Sequence, residues 1–415
     1  MFCILSFLFA YLKIKQYLCG LNEPIRVESM ITNWIDENTL AEARQMIAGA
    51  HRVVILTHMA PDGDAMGSSL GLKAWLEEQG KEVAVAVPSA YPDFLGWMPG
   101  ANEIMVFDVN CKDAVVTRIR EAIAAAELVI CSDFNDPKRI GAVGEMLMEE
   151  RAARETKGEK LPVLMIDHHI TPPGLPTGGG DKEGSRVEDD CPGWMGTGDV
   201  MLVFPKSPSA SEIVYRLIRQ LGGTLSLQAG TCLYTGMMTD TGNFAFNSNH
   251  PEMYEIVGDL VRIGVDKDKV YDHVFNAYSA HRMRLMGYCL YHKMEIYPEH
   301  HVAFIYLTRR ELARFQFQSG DAEGLVNLPM QIKDVYYSCF MREDKVYPSE
   351  QSRANGSKVK VKISMRSKGD RPVNQFCHEV FNGGGHKNAS GGEYYGPLAE
   401  AVQLFKDNYA KYCNK

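Results

Sequence analysis

The chain has 415 residues, 45% of them hydrophobic and 23% charged, with a formal net charge of −8. That length supports a sizeable core and predicts two domains, while the acidic balance argues against a protein that coats long nucleic acid, which needs a basic face. Ten cysteines stand singly, with no CxxC pair, so the chain reads as a reduced cytoplasmic protein rather than a disulfide scaffold.

Residues 2–12, FCILSFLFAYL, are almost wholly apolar. The run is shorter than a membrane helix requires, no basic residue precedes it, and no small-residue cleavage site is evident. The expectation is that residues 1–29 are an extension outside the folded domains, that Met30 is the true start, and that the chain has no stable membrane partner.

From residue 52 to about 170, strand-like and helix-like segments alternate. RVVILTH, EVAVAV, IMVFD, ELVICSDF and LPVLMID read as strands, separated by AMGSSLGLKAWLEEQG, CKDAVVTRIREAIAAA and IGAVGEMLMEERAAR with apolar residues at helical spacing. Continuous apolar strands in such an alternation predict an α/β fold with a doubly wound parallel sheet. Residues 172–208, rich in Gly, Pro and acid, read as a long loop or lid. Helical patterns resume at SASEIVYRLIRQLG, with Ser209 or Ser211 as the cap, and at SLQAGTCLYTGMM. Residues 251–291 look helical. From 292 the pattern shifts to alternating strands, HKMEIY, HVAFIYL, VYYSCFMR and KVKVKISMRS, with helices expected at 373–381 and from about 397. The expected organisation is a first domain over 30–265, a helical linker over 266–291, and a smaller α/β domain over 292–415, with the active site in the cleft between the two domains.

Four groups of metal-type ligands occur, and three of them follow predicted strands. LTHMAPDGDAMG supplies His58, Asp62 and Asp64, LVICSDFND supplies Asp133, LMIDHH supplies Asp167, His168 and His169, and GMMTDTGNFAF places Asp240 in a turn after a helix. In open α/β sheets, ligands bind beyond the carboxyl ends of the strands, so three strands of one sheet aim these side chains at one crevice. Carboxylates with imidazoles suit Mn²⁺, Mg²⁺ or Fe²⁺. So many carboxylates together repel unless cations neutralise them, and two metals roughly 3.5–4 Å apart answer that need while clamping a phosphoryl oxygen. Taken singly, Asp62 and Asp64 also suit a turn beside Pro61 and Gly63, Asp133 a helix cap, and Asp167 with His168 a strand end. Together those accounts need a coincidence at each of four places.

FNGGGHKNASGG is glycine-dense beside His386, and glycines let backbone N–H groups approach an anion. Gly383, Gly384, Gly385 and His386 therefore form the candidate substrate loop, with Arg366 of ISMRS as a bidentate phosphate grip. His51, His250, His273, His281, His292, His300, His301 and His378 match no ligand motif. His250, just before Pro251, suits a capping or solvent role. Arg284 reads as an exposed or paired structural residue, and Phe244 as packing beneath the site.

The four acid and histidine motifs resemble those of the DHH phosphoesterase family, and SMRS with GGGHKNASGG is similar to that family's associated C-terminal domain. The pairing resembles the branch of small bacterial nanoRNases, or pAp phosphatases, over most of residues 30–412. That resemblance implies one metal on His58, Asp62 and Asp133, and a second on Asp64, Asp133, His168 and Asp240, with Asp133 bridging. It also implies that His169 faces the scissile phosphate and that Asp167 orients a histidine. The implied cofactors are two divalent ions, Mn²⁺ foremost. The implied substrates are short oligoribonucleotides cut to nucleoside monophosphates and the 3′-phosphate of adenosine 3′,5′-bisphosphate. The rival readings are a cyclic or linear dinucleotide phosphodiesterase and a catalytically silent nucleotide-binding protein. A homodimer is an admissible assembly. The 172–208 stretch is long for that family at that position.

Overall fold

The computed structural model describes residues 33–107, 113–135, 137–169, 199–318, 320–346, 354 and 356–413. The N-terminal extension and most of the 172–208 stretch lie outside them. Helix α1 (Glu37–Gly49) begins where the Asp36 carboxylate accepts the N–H groups of Asn38 and Thr39. Strands β1 (Arg52–Leu56), β2 (Glu82–Val87), β3 (Met105–Val106), β4 (Leu128–Ser132), β5 (Val163–Asp167) and β6 (Val200–Val203) then build a six-stranded sheet in the order β3-β2-β1-β4-β5-β6. Every pairing in it is parallel. Helices α2 (Gly63–Glu77), α3 (Asp113–Ala125), α4 (Gly141–Glu155), α5 (Ala210–Gln220) and α6 (Leu227–Asp240) cover its two faces.

The reason for the unbroken apolar strands is visible in β1. Val53 and Ile55 enter one core with Leu72, Leu76, Ile213 and Leu233, while Val54 and Leu56 enter the other with Ile119, Ile123, Val143 and Leu147. Successive side chains point to opposite faces, and both faces are buried. The α/β class expected from the alternation is the class observed.

One expectation fails at a boundary. Residues 200–203 are not loop: Val200–Val203 pairs with Leu164–Asp167 as β6, the last strand of the sheet. Its apolar run is only VMLV, and the Gly, Pro and acid before it masked so short a strand.

Helices α2 and α6 cross closely. A Cβ at Gly67 would lie 2.6 Å from the Cys232 carbonyl oxygen and 2.7 Å from the Gly236 nitrogen. Only glycine allows that approach, and it sets the start of α2 beside the end of α6.

Helices α7 (Pro251–Ile263), α8 (Lys267–Phe275) and α9 (Ala280–Tyr288) follow. His250 caps α7 by accepting the Met253 N–H, as its place before Pro251 predicts. Beyond them lies a second six-stranded sheet. It comprises β7 (Glu295–Tyr297), β8 (Val302–Leu307), β9 (Tyr337–Lys345), β10 (Val359–Ser367), β11 (Gly384–His386) and β12 (Ala389–Tyr395), in the order β11-β12-β10-β9-β8-β7. Only β8 and β9 run parallel; the other pairings are antiparallel. Helix α10 (Arg309–Arg314) follows β8, and α11 (Asn374–Phe381) and α12 (Leu398–Tyr412) pack Phe376, Phe381 and Phe405 against Phe304, Val361 and Met365. Among the described residues no helix is long and apolar enough to cross a membrane.

Candidate active site

The strand order reverses between β1 and β4, and a crevice opens there beyond the carboxyl ends of a doubly wound sheet. The chain spends its acids and histidines at that point. His58 lies two residues past β1 and is buried. Asp62 caps α2, accepting the N–H groups of Asp64 and Ala65 at 3.0 and 3.1 Å. Asp133 follows β4 with φ at +66°, a left-handed conformation that short polar residues tolerate best. Asp167 ends β5, and His168 and His169 follow it.

Residues distant in sequence meet around the buried Asp133. Its Oδ2 lies 3.4 Å from His58 Nε2, and its Oδ1 lies 3.3 Å from His168 Nε2 and 3.5 Å from His169 Nδ1. His168 Nε2 also stands 3.7 Å from Asp64 Oδ2 and 3.5 Å from Asp240 Oδ2. Single ligand atoms of His58, Asp62 and Asp133 lie within 4.8 Å of one another, as do those of Asp64, Asp133 and His168. All six residues expected as metal ligands are thus gathered in one place.

The residues present fit a cation site. Asp133 Oδ1 is buried and accepts no hydrogen bond, a costly state for a carboxylate oxygen unless a cation sits beside it. His58 Nδ1 is 2.9 Å from the Met59 carbonyl and His168 Nδ1 is 3.2 Å from the Ser207 carbonyl. Both contacts assign a proton to Nδ1, so each Nε2 faces Asp133 and, once deprotonated, is the nitrogen a metal ligand needs. Oxygen and imidazole donors without sulfur match a hard or borderline divalent ion.

The electrostatics carry the same demand. Burial pushes Asp64 well above the usual carboxylate range, and the charges of Asp133 and Asp240 add to it. Burial likewise lifts Asp240 to about 7, with His168 opposing and Asp62 and Asp133 reinforcing. Burial works against ionised Asp133 too, yet the close contacts of His168 and His58, with the charge of His169, hold it well below the usual range. Burial disfavours protonated His168, but Asp133, Asp240 and Asp64 outweigh it and raise that imidazole well above its ordinary value. Without cations the cluster keeps protons; divalent ions held there would displace them, so binding would release protons and strengthen as pH rises.

Asp167 is fully buried and stands 2.7 Å from His169 Nδ1. Across the cleft, His386 stacks on His169 with ring centroids 4.7 Å apart and planes 15° from parallel. Its other near ring, His168, is also 4.7 Å away. Burial, helped by the charges of His168 and His169, pushes the His386 imidazole down to about 2, so it is neutral and offers one donor and one acceptor. Arg366 sits near the end of β10, half-buried, with its Nη1 donating to the Met365 carbonyl. Burial lowers its proton affinity, while Asp240, Asp62 and Glu323 support the charge.

The GGGH segment is not a free loop. Gly384–His386 form β11, paired with Ala389–Gly391 of β12. Glycine serves close packing there: a Cβ on Gly383 would lie 1.9 Å from the Gly391 carbonyl oxygen, and Gly385 has φ at +132°. Gly384 is the open one, exposed and with nothing near an added Cβ. Among the residues not promoted, Phe244 packs against Tyr234 and Tyr254, and Arg284 is exposed.

Sequence reading missed three supports. The N–H groups of Ala210 and Ser211, at the start of α5, donate to the two Asp64 oxygens at 2.6 and 3.0 Å, a helix N-terminus aimed at a carboxylate. The Ser207 carbonyl is the third. All lie just after β6, whose invisibility hid them; the Ser209 cap was the available signal.

A buried cluster of carboxylates and imidazoles at the switch point of a parallel sheet, faced by an arginine and a glycine-rich hairpin, defines a metal-dependent phosphoesterase. The chain belongs to the DHH family: the model of the DHH family, N-terminal domain, matches residues 52–237. A solved exopolyphosphatase-related protein from Bacteroides fragilis is 39% identical, with a TM-score of 0.75 over 92% of this chain and 98% of that one. A bifunctional oligoribonuclease and PAP phosphatase NrnA of Thermus thermophilus is 27% identical over 86% of this chain and 88% of its own. Its namesake in Bacillus subtilis is 23% identical over 83% and 89%.

Proposed function

We propose that the protein hydrolyses short oligoribonucleotides to nucleoside monophosphates and removes the 3′-phosphate of adenosine 3′,5′-bisphosphate, using two divalent ions, Mn²⁺ foremost. The observation that carries this reading is the convergence of His58, Asp62, Asp64, Asp133, His168 and Asp240 on one buried point. The two NrnA relatives supply the substrate class by name.

In this reading His58, Asp62 and Asp133 hold one ion, and Asp64, Asp133, His168 and Asp240 hold the other. The bound pair supplies Lewis acidity and offsets phosphoryl charge. Asp167 fixes His169 through Nδ1, which leaves His169 Nε2 facing the substrate, where it donates to a phosphoryl or leaving oxygen once it carries a proton. Arg366 and the 383–386 hairpin hold the part of the substrate that does not react, Arg366 through a charge-assisted fork. His386, neutral and stacked on His169, donates or accepts one hydrogen bond without adding charge.

A substrate panel at fixed enzyme and Mn²⁺ tests the reading. The expected result is phosphate release from adenosine 3′,5′-bisphosphate and mononucleotide release from two- to five-residue RNA, both abolished by chelator. Turnover confined to cyclic dinucleotides would replace the substrate class. No metal-dependent turnover of any of these would favour a silent nucleotide-binding protein.

A further inference from the structure

We propose that Arg139 is a catalytic residue whose guanidinium grips the phosphoryl group under attack, from the turn that adjoins the His58 and His169 segments. This extends the hydrolytic reading above and rests on it only for the reaction type, not for the nucleotide.

Arg139 lies in a short 3-10 turn, Pro137–Ile140, that leaves the Asp133 loop. The turn is fastened to the segments that carry the cluster. The Arg139 carbonyl accepts the Met59 N–H at 2.7 Å, next to His58. Asn135 Nδ2, just before the turn, donates to the His169 carbonyl at 3.4 Å. Gly141, just after it, has φ at +47°, and a Cβ there would lie 3.3 Å from Met59 Cε.

The side chain is half-buried, and among the described residues it makes no hydrogen bond or ion pair. Its neighbours in the same lobe behave differently. Arg151, Arg154, Arg216 and Arg219 are also withdrawn from water, and each has a carboxylate partner at 2.7 Å or less. An arginine drawn out of water normally acquires such a partner. Among the described residues Arg139 has no such partner for its five donors. Its charge lowers the proton affinity of His58, His169 and His386, whereas Arg366 bears on Asp240 and Asp62.

The chemistry that recognises a free fork beside neutral imidazoles is a phosphoryl dianion or diester. In hydrolysis a water oxygen bonds to phosphorus and the ester P–O bond breaks. The electron pair of that bond, and one proton from water, leave with the sugar hydroxyl. Charge on the non-bridging oxygens grows between those events, and a fixed guanidinium there acts on the transition state more than on binding.

The test uses the full chain with Mn²⁺ and two substrates, adenosine 3′,5′-bisphosphate and the synthetic diester bis(p-nitrophenyl) phosphate. Arg139→Ala is expected to lower kcat about 10²–10³-fold with KM changed less than about threefold. Arg139→Lys is expected to recover about tenfold or more of kcat. Mn²⁺ stoichiometry and affinity by calorimetry are expected to match the unaltered protein in both variants. A kcat within about threefold, a loss confined to KM, or a parallel loss of Mn²⁺ binding would overturn the assignment. Activity on the synthetic diester alone would remove the nucleotide reading while leaving the Arg139 comparison intact.

Discussion

The two sheets contribute to the cleft by opposite means. The first supplies charge: buried acids and imidazoles held against their own repulsion, with Asp133 in a left-handed backbone conformation and one of its oxygens without a hydrogen bond. The second supplies shape: a glycine hairpin so tight that Gly383 admits no Cβ, which carries His386 to His169. The first region gives up stability for chemistry. The second is held by ladder hydrogen bonds and an aromatic core, and its contribution is position. Damage to the first should therefore appear in turnover and metal binding, and damage to the second in substrate affinity and folding.

The sharpest test of that division is Asp133→Asn. Asparagine tolerates the φ of +66° but removes the charge shared by His58 and His168. Turnover is expected to fall by roughly 10³-fold or more, with fewer Mn²⁺ ions bound per chain in calorimetry and an unchanged circular-dichroism spectrum. Activity within tenfold would dissolve the contrast. Gly383→Ala strikes the other region. With the Gly391 carbonyl oxygen 1.9 Å from the new Cβ, the hairpin must shift, at a cost of about 2–3 kcal/mol in thermal or denaturant unfolding. Its KM should rise while Mn²⁺ affinity holds; a loss of Mn²⁺ binding would show that the two regions are not separable. Arg366→Ala removes one charge-assisted contact worth roughly 1.5–3 kcal/mol and is expected to raise KM about 10–100-fold with kcat nearly unchanged.

The same division governs what the sequence reveals. Charge is legible: acids and histidines at the ends of apolar strands stand out, and the topology that gathers them follows from the βα alternation. Shape is less so. Glycines at 383–385 predict close approach equally well for an anion nest and for a tight hairpin, and only pairing with β12 decides that the backbone is a strand. A four-residue strand such as β6 carries too few residues to show a period, so the α5 N-terminus that steadies Asp64 stayed hidden with it. Arg139 gave no signal because arginines in turns are common, and what marks it is the lack of a partner among the described residues.

The smallest expected effect lies in the second region, away from the cleft. Glu311 belongs to a capping box at α10: the Thr308 hydroxyl accepts the Glu311 N–H while the Glu311 carboxylate accepts the Thr308 N–H at 2.8 Å. The carboxylate also accepts the Tyr288 hydroxyl and pairs with Lys293 at 3.0 Å, joining α9 to α10 beneath β8. Burial opposes its charge, but these hydrogen bonds prevail and hold the group down at about 2, against an ordinary 4.5. Because the folded value lies below the unfolded one, the stabilisation is complete above about pH 4.5 and fades as pH falls toward 2. Water screens part of it, leaving ~1 kcal/mol. Glu311→Gln keeps a capping oxygen and loses the charge, so its thermal midpoint should lie slightly below that of the unaltered protein at pH 7. The gap should narrow as pH drops from 4.5, while kcat, KM and Mn²⁺ binding at pH 7 stay the same. A Glu311→Gln variant that altered turnover would mean that strain in the second lobe reaches the metal ligands, and the separation of charge from shape would fail at its least exposed point.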